Sequence, residues 1–344
     1  MINLNNYFKE AIKAEASDLH LVGGEFPMLR VEGELKELAD KKLDDKELET
    51  AIMELLSKEQ LAKYRENLEL DFGYEVDGTR FRVNLHQQAE RIGMAARLIP
   101  VEIPSPKDLR FEEPLLGVTN FLDGLVLVTG PTGSGKSTTI ASIIEEINKN
   151  RKAHIVTVED PIEFMFKDKK SLIEQREVGI DTKSFAQALK YVLRQDPNII
   201  YVGEMRDPET IATALTAAET GHLVLSTLHT PSAAEAVERI VDVFEGTKQK
   251  QILIQLSSVL RMVVAQQLLP SKDGGRVPAR EILVNTPAAA NLIRENKIDQ
   301  LKTVIQTGAK EGMITMENSV KQLLKEGWID EDTADKRVGR QRKV

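Results

Sequence analysis

Cysteine is missing from all 344 residues. That excludes disulfides and cysteine-ligated zinc, and it fits a reducing compartment. No run of 18 apolar residues occurs, so no segment is expected to span a membrane. The opening stretch Met1–Tyr7 has neither a basic region nor an apolar core and does not read as a signal peptide. An excess of positive charge is also absent. The net charge is −8, which argues against a chain that coats nucleic acid. The five histidines lack tight metal-ligand spacing. There is no internal repeat and no low-complexity tract.

What is present is ordinary globular material, 41% apolar and 29% charged, long enough for two or three domains. The first hundred residues read as a small α+β domain. Leu4, Phe8, Ala11 and Ile12 recur at helical spacing, and Leu48, Ile52, Leu55 and Leu56 predict a second helix. Asp18–Val22 and Met28–Val31 read as short strands. Two alternating runs around Asp77-Gly78 predict a hairpin, and Gly93–Ile99 a further strand. Pro100, Pro104, Pro106 and Pro114 mark a stiff linker over residues 101–114. Beyond it strands and helices alternate: Leu125–Val128, Ile155–Val158, a helix from about Ser184 to Arg194, Ile199–Val202, a helix from about Pro208 to Glu219, then Leu223–Thr227. The alternation predicts a parallel sheet with helices on both faces. From residue 286 the chain reads as helical to its end. The last basic residues (Lys336, Arg337, Arg340, Arg342, Lys343) read as a solvated tail.

The densest signal is Gly130-Pro131-Thr132-Gly133-Ser134-Gly135-Lys136-Ser137-Thr138. It satisfies Gly-x-x-x-x-Gly-Lys-Ser/Thr, stands after an apolar strand, and precedes Ile140, Ile143, Ile144 and Ile147 at helical spacing. Strand, glycine loop and helix is what phosphate binding needs. Glycines let backbone N–H groups close on the anion, and the helix N-terminus adds positive dipole. Lys136 is expected at the β- and γ-phosphates of ATP, and the Ser137 hydroxyl on Mg²⁺.

A nucleotide hydrolase also needs acids at strand ends. Ile199–Val202 followed by Gly203-Glu204 has that shape, although glycine stands where an aspartate is common. Glu204 is therefore expected to hold Mg²⁺ through water. Glu159, Asp160 and Glu163 follow another strand. Alone they could equally be a solvated loop. Beside a phosphate loop such a cluster at the carboxyl end of a strand is where catalysis is expected, with Glu159 a candidate metal ligand. His222 and His229 bracket a core strand. Either could be structural, but His229, just past the strand, is a candidate γ-phosphate sensor.

In this order, Gly130–Thr138, Glu159–Glu163, Gly203-Glu204 and the stretch through His229 resemble the secretion ATPase superfamily, which serves type II secretion, type IV pili and conjugation. Ser17-Asp18-Leu19-His20-Leu21 is similar too. Absence of cysteine and a start near that motif favour the pilus-retraction branch over the extension and type II secretion branches. So does Ala288-Ala289-Ala290-Asn291-Leu292-Ile293-Arg294-Glu295, which agrees with the retraction motif at six of eight positions. Ala289 and Ala290 replace an isoleucine and an arginine, leaving an accessory retraction ATPase as the alternative. The resemblance implies a PAS-like domain over 1–100, a RecA-like ATPase core over 115–285 and a helical region over 286–344. It further implies a homohexamer acting in the cytoplasm on an inner-membrane pilus platform protein, with ATP between the two domains of a subunit. Glu163 would be the general base and Glu204 would support Mg²⁺. Arg82 and Arg97 would reach the γ-phosphate. By residue type alone those two arginines read as solvated. A nucleotide-regulated scaffold and a nucleic-acid translocase are the competing classes.

Overall fold

The computed structural model describes residues 2–31, 33–99 and 102–341, the last four of them by backbone alone. Pro100, Val101, Arg342, Lys343 and the side chain of Arg340 therefore lie outside the described residues. The chain forms two compact units, residues 1–102 with 163–165, and residues 103–162 with 166–344.

In the first unit, α1 (Leu4–Lys13) buries Leu4, Phe8 and Ala11. It is followed by β1 (Asp18–Val22), β2 (Met28–Val31), β3 (Glu34–Glu37), α2 (Asp45–Leu55), α3 (Lys58–Asn67), β4 (Glu69–Val76), β5 (Thr79–Gln88) and β6 (Arg91–Leu98). The strands form one antiparallel sheet in the order β3-β2-β1-β6-β5-β4. Asp77 and Gly78 turn the β4–β5 hairpin with φ of 50° and 76°, the pair of positive angles that suits the twist of such strands. Leu56, expected inside the second helix, instead leaves it with extended backbone. The reason is local. Ser57 caps α3 in a reciprocal box with Gln60, and that new start fixes the end of α2. Leu19, Leu21, Phe81, Val83 and Leu85 are fully buried and alternate along their strands, forming the core.

The second unit contains α4 (Glu113–Gly117), β7 (Gly124–Thr129), α5 (Lys136–Asn150), β8 (His154–Glu159), β9 (Leu172–Glu177), α6 (Phe185–Val192), β10 (Ile199–Val202), α7 (Pro208–Glu219), β11 (Leu223–Leu228), α8 (Ala233–Asp242), α9 (Gly246–Val259), β12 (Leu260–Pro270), β13 (Arg276–Val284), α10 (Pro287–Arg294), α11 (Leu301–Thr307), α12 (Met316–Lys325) and α13 (Glu331–Gln341). Its seven strands lie in the order β13-β12-β7-β11-β10-β8-β9. Leu125 and Leu127 enter one core and Val126 and Val128 the other, so both faces of the sheet are covered.

The sheet is not wholly parallel, as the strand–helix alternation predicted. β13 runs antiparallel to β12, because residues 271–275 connect them directly and a parallel return needs a longer crossover. Gly274 and Gly275 supply the positive φ for that turn. The region after residue 286 is mainly helical, but Ile314 returns to form an isolated bridge with Ile282.

The remaining strands are parallel, so their carboxyl ends meet along one edge. β11 and β10 lie between β7 and the strand that follows it in sequence, β8. Such a crossing leaves a crevice at the strand ends, where ligands of open α/β sheets bind.

Candidate phosphate site

β7 delivers the glycine loop to that edge. At Gly130, φ is +146°, and a Cβ would lie 2.3 Å from the Gln266 carbonyl oxygen. Only glycine fits so close to β12. Gly133 and Gly135 also have positive φ, at 77° and 82°. Gly135 is the N-cap of α5 and brings no side chain to it, so the first-turn N–H groups are left to a ligand. The Lys136 ammonium donates to the carbonyls of Gly130 and Pro131 at 2.8 and 3.1 Å. The buried Ser134 hydroxyl finds no hydrogen-bond partner among the described residues. Uncapped amides, an ammonium beneath the loop and an unsatisfied hydroxyl form a donor set that suits phosphate oxygens.

Neighbouring strands fasten this loop. The Thr129 hydroxyl at the end of β7 donates to the carbonyl of Thr230 at 2.7 Å, which ties the segment after β11 to the loop strand. The Gln266 amide on β12 donates to the Ser134 carbonyl at 2.6 Å and accepts from the Thr139 hydroxyl at 2.8 Å.

Past β10, Glu204 accepts from Arg206 at 2.8 Å and lies 3.4 Å from His229 Nε2. The Thr227 hydroxyl donates to the Gly203 carbonyl at 2.5 Å and holds the turn that carries Glu204. Glu204, Arg206, Thr227, His229, Thr230 and Arg239 line a cleft of about 370 Å³. Glu204 and His229 are thus brought together. Glu159 ends β8 with its carboxylate buried, accepting from the Thr157 hydroxyl at 2.7 Å and from Gln175 at 3.4 Å. No group of three or more acidic or histidine side chains suited to a metal occurs among the described residues. His222 serves the fold instead. Its Nδ1 lies 2.9 Å from the Ala217 carbonyl, at the amino end of β11 and away from the loop.

Arg82, Arg97 and Glu163 belong to the first unit. Arg82 on β5 stands directly opposite Arg97 on β6, and both are exposed. Arg97 Nε donates to Asp18 at 2.9 Å. Burial alone would raise the Asp18 carboxyl, but the hydrogen bonds from Arg97 and Ser17 outweigh it and hold the group below its ordinary value. His20, on the same strand, is pushed down by burial, and its Nε2 finds no partner among the described residues. In α10, Ala289 is fully buried and Ala290 half-buried, whereas Arg294 and Glu295 are exposed.

Gln266, Arg206 and Arg239 were not legible as site residues. Arg206 follows Glu204 by two positions and could have been found from that spacing. Gln266 carries a weaker signal, a polar residue closing the apolar run Met262–Ala265.

The family described as Type II/IV secretion system protein matches residues 1–274. The chain is 46% identical over 323 residues to the Type IV pilus retractation ATPase PilT of Pseudomonas aeruginosa, covering 94% of each chain. It is 47% identical over 314 residues to a twitching motility protein of Neisseria gonorrhoeae, covering 91% of this chain and 84% of that one. The crystal structure of the pilus retraction motor PilT with bound ADP superposes with a TM-score of 0.91 at 46% identity, covering 98% of this chain and 97% of the other.

Proposed function

Because the chain belongs to the Type II/IV secretion system protein family and is an ATPase, we propose that it is the Mg²⁺-dependent motor that retracts type IV pili. The observation that carries this reading is the glycine loop at the carboxyl edge of the sheet, with Glu204 and His229 just past the ends of adjacent strands. ATP is the substrate. Gly130–Thr138 wrap its phosphates, and Lys136 leaves its carbonyl contacts for the β- and γ-phosphates. Ser137, with Glu204 and Glu159 behind it, would hold Mg²⁺, which would supply charge neutralisation at those phosphates. Glu163 takes a proton from the attacking water. That oxygen bonds to the γ-phosphorus as its bond to the β–γ bridging oxygen breaks, and ADP and phosphate leave. His229, through Glu204, senses the change. Arg82 and Arg97 bind the γ-phosphate bidentately and release when it is lost.

The same reading divides the chain into a PAS-like domain (1–100), a hinge (101–114), a RecA-like core (115–285) and a helical region (286–344). Six copies form a ring in the cytoplasm against the inner-membrane platform protein of the pilus, with no nucleic acid involved. Loss of γ-phosphate contacts opens each subunit about its hinge and moves the platform stepwise.

The enzymatic part is tested by Lys136→Ala and Glu204→Ala. Each is expected to lower ATP turnover by at least about a hundredfold, and undiminished turnover in both would remove the reading. The direction of the motor is tested by deletion in the organism that carries it. Piled-up pili with no twitching support retraction, and bald cells support extension. Ala289 and Ala290 favour a second reading, an accessory retraction ATPase. Its deletion would leave twitching intact unless load is high.

A further inference from the structure

Arg280, on β13, is the largest fully buried side chain among the described residues, 1% exposed. Its guanidinium donates in four directions. Nε reaches Gln266 Oε1 at 2.8 Å. Nη1 reaches the Arg110 carbonyl and the Glu112 carboxylate, both at 3.1 Å. Nη2 reaches the Leu109 carbonyl at 2.9 Å. A buried guanidinium this fully satisfied is held rigidly, because losing any partner would strand a charge away from water.

Gln266 has no freedom either. Arg280 and Thr139 both donate to its Oε1, so the amide can be oriented only one way, with Nε2 toward the Ser134 carbonyl. That bond fixes the peptide plane between Ser134 and Gly135. In a trans peptide the C=O and N–H point in opposite directions. Drawing the carbonyl toward β12 therefore turns the Gly135 N–H away from it, and this amide is one of those the loop offers to phosphate.

We propose that Arg280 is a positioning residue of the phosphate site. Through Gln266 it ties Leu109–Glu112, the segment by which the chain enters the second unit, to the loop, so that the seating of this segment sets nucleotide affinity. The proposal rests on the ATPase reading and adds to it a path by which movement of the linker and occupancy of the loop influence each other. The coupling is reciprocal. Nucleotide that orders the loop also orders Gln266, Arg280 and the segment beyond.

The test is a double-mutant cycle read by ADP affinity on the full chain. Gln266→Leu is expected to weaken ADP binding about tenfold, within the range of such couplings, and Glu112→Gln, one step further off, about threefold. The double variant is expected to match Gln266→Leu alone, because the second change acts only through the first. A merely structural role would lower thermal stability and leave ADP affinity unmoved by Glu112→Gln. That result, or effects that multiply in the double variant, would overturn the relay. If Gln266→Leu does not fold, Arg280→Lys replaces it, since lysine keeps the buried charge for Glu112 but loses the fork to Gln266. A wild-type chain that bound no ADP would sink the ATPase reading and the relay with it. Wild-type binding with multiplying effects would sink the relay alone.

Discussion

Glu281, on β13, is a carboxylate in an unfavourable place. Burial raises it above its ordinary value, and hydrogen bonds from the backbone of Ala233 and Met316 offset that only in part. A carboxyl whose folded value is raised binds protons more readily folded than unfolded. Its contribution to stability is therefore full below 4.5, the ordinary value, and is lost as pH rises through the folded value. Glu281→Gln keeps an acceptor for the Ala233 N–H and removes the charge. We expect the variant to melt higher than wild type at pH 8, with the gap closing as the pH approaches 4.5. A gap of constant size across that range would mean that the charge is not what costs stability. His20 carries the opposite sign. Burial lowers it, so its contribution is present above the ordinary histidine value and fades as pH falls below it.

At the scale of elements, the loop between β7 and α5 owes its path to β12 as much as to its own glycines. A methyl group at Gly130 would meet a backbone carbonyl at 2.3 Å, and backbone cannot swing aside as a side chain can. Gly130→Ala is expected to cost about 1–3 kcal/mol in backbone strain and more through the clash. ADP binding should fall at least tenfold. Retained affinity would mean that the loop can leave β12 without losing its shape. This contact also explains what could and could not be read beforehand. The strand Ile199–Val202 and the helix near Pro208–Glu219 were legible, because an apolar run and an Asp207 cap with proline behind it are local signals. β9, with sequence Leu-Ile-Glu-Gln-Arg-Glu, sits at a sheet edge and has little apolar pattern to betray it. α3 buries only Tyr64 and is polar almost all round. The loop was legible as a motif, whereas its supports, Gln266 and Arg280, are 130 or more residues further along the chain and meet it only through sheet pairing. Residue type and spacing carry no trace of such a meeting.

At the scale of the molecule, each unit contains an arrangement of donors that suits an anion. In the second it is the glycine loop with its uncapped helix. In the first, Arg82 and Arg97 face each other across paired strands, where like charges are destabilising. Asp18 pairs with Arg97, whose side chain remains 72% exposed, and its other oxygen lies 4.0 Å from Arg30. Two guanidinium groups held directly opposite each other gather an excess of positive charge at that point of the sheet, in a chain whose net charge is −8. The proposed motor uses that excess for the γ-phosphate, and the assignment separates two measurements. ADP has no γ-phosphate, so Arg97→Ala should leave ADP affinity within about threefold. Turnover depends on charge that develops around the transferred group, so the same variant should lose at least about a hundredfold in kcat. Arg82→Ala should behave alike, and the pair of changes should cost little more than either alone, since one clamp is broken once. Intact turnover in both variants would return these arginines to the solvent. A parallel fall in ADP affinity would instead make them part of ground-state binding.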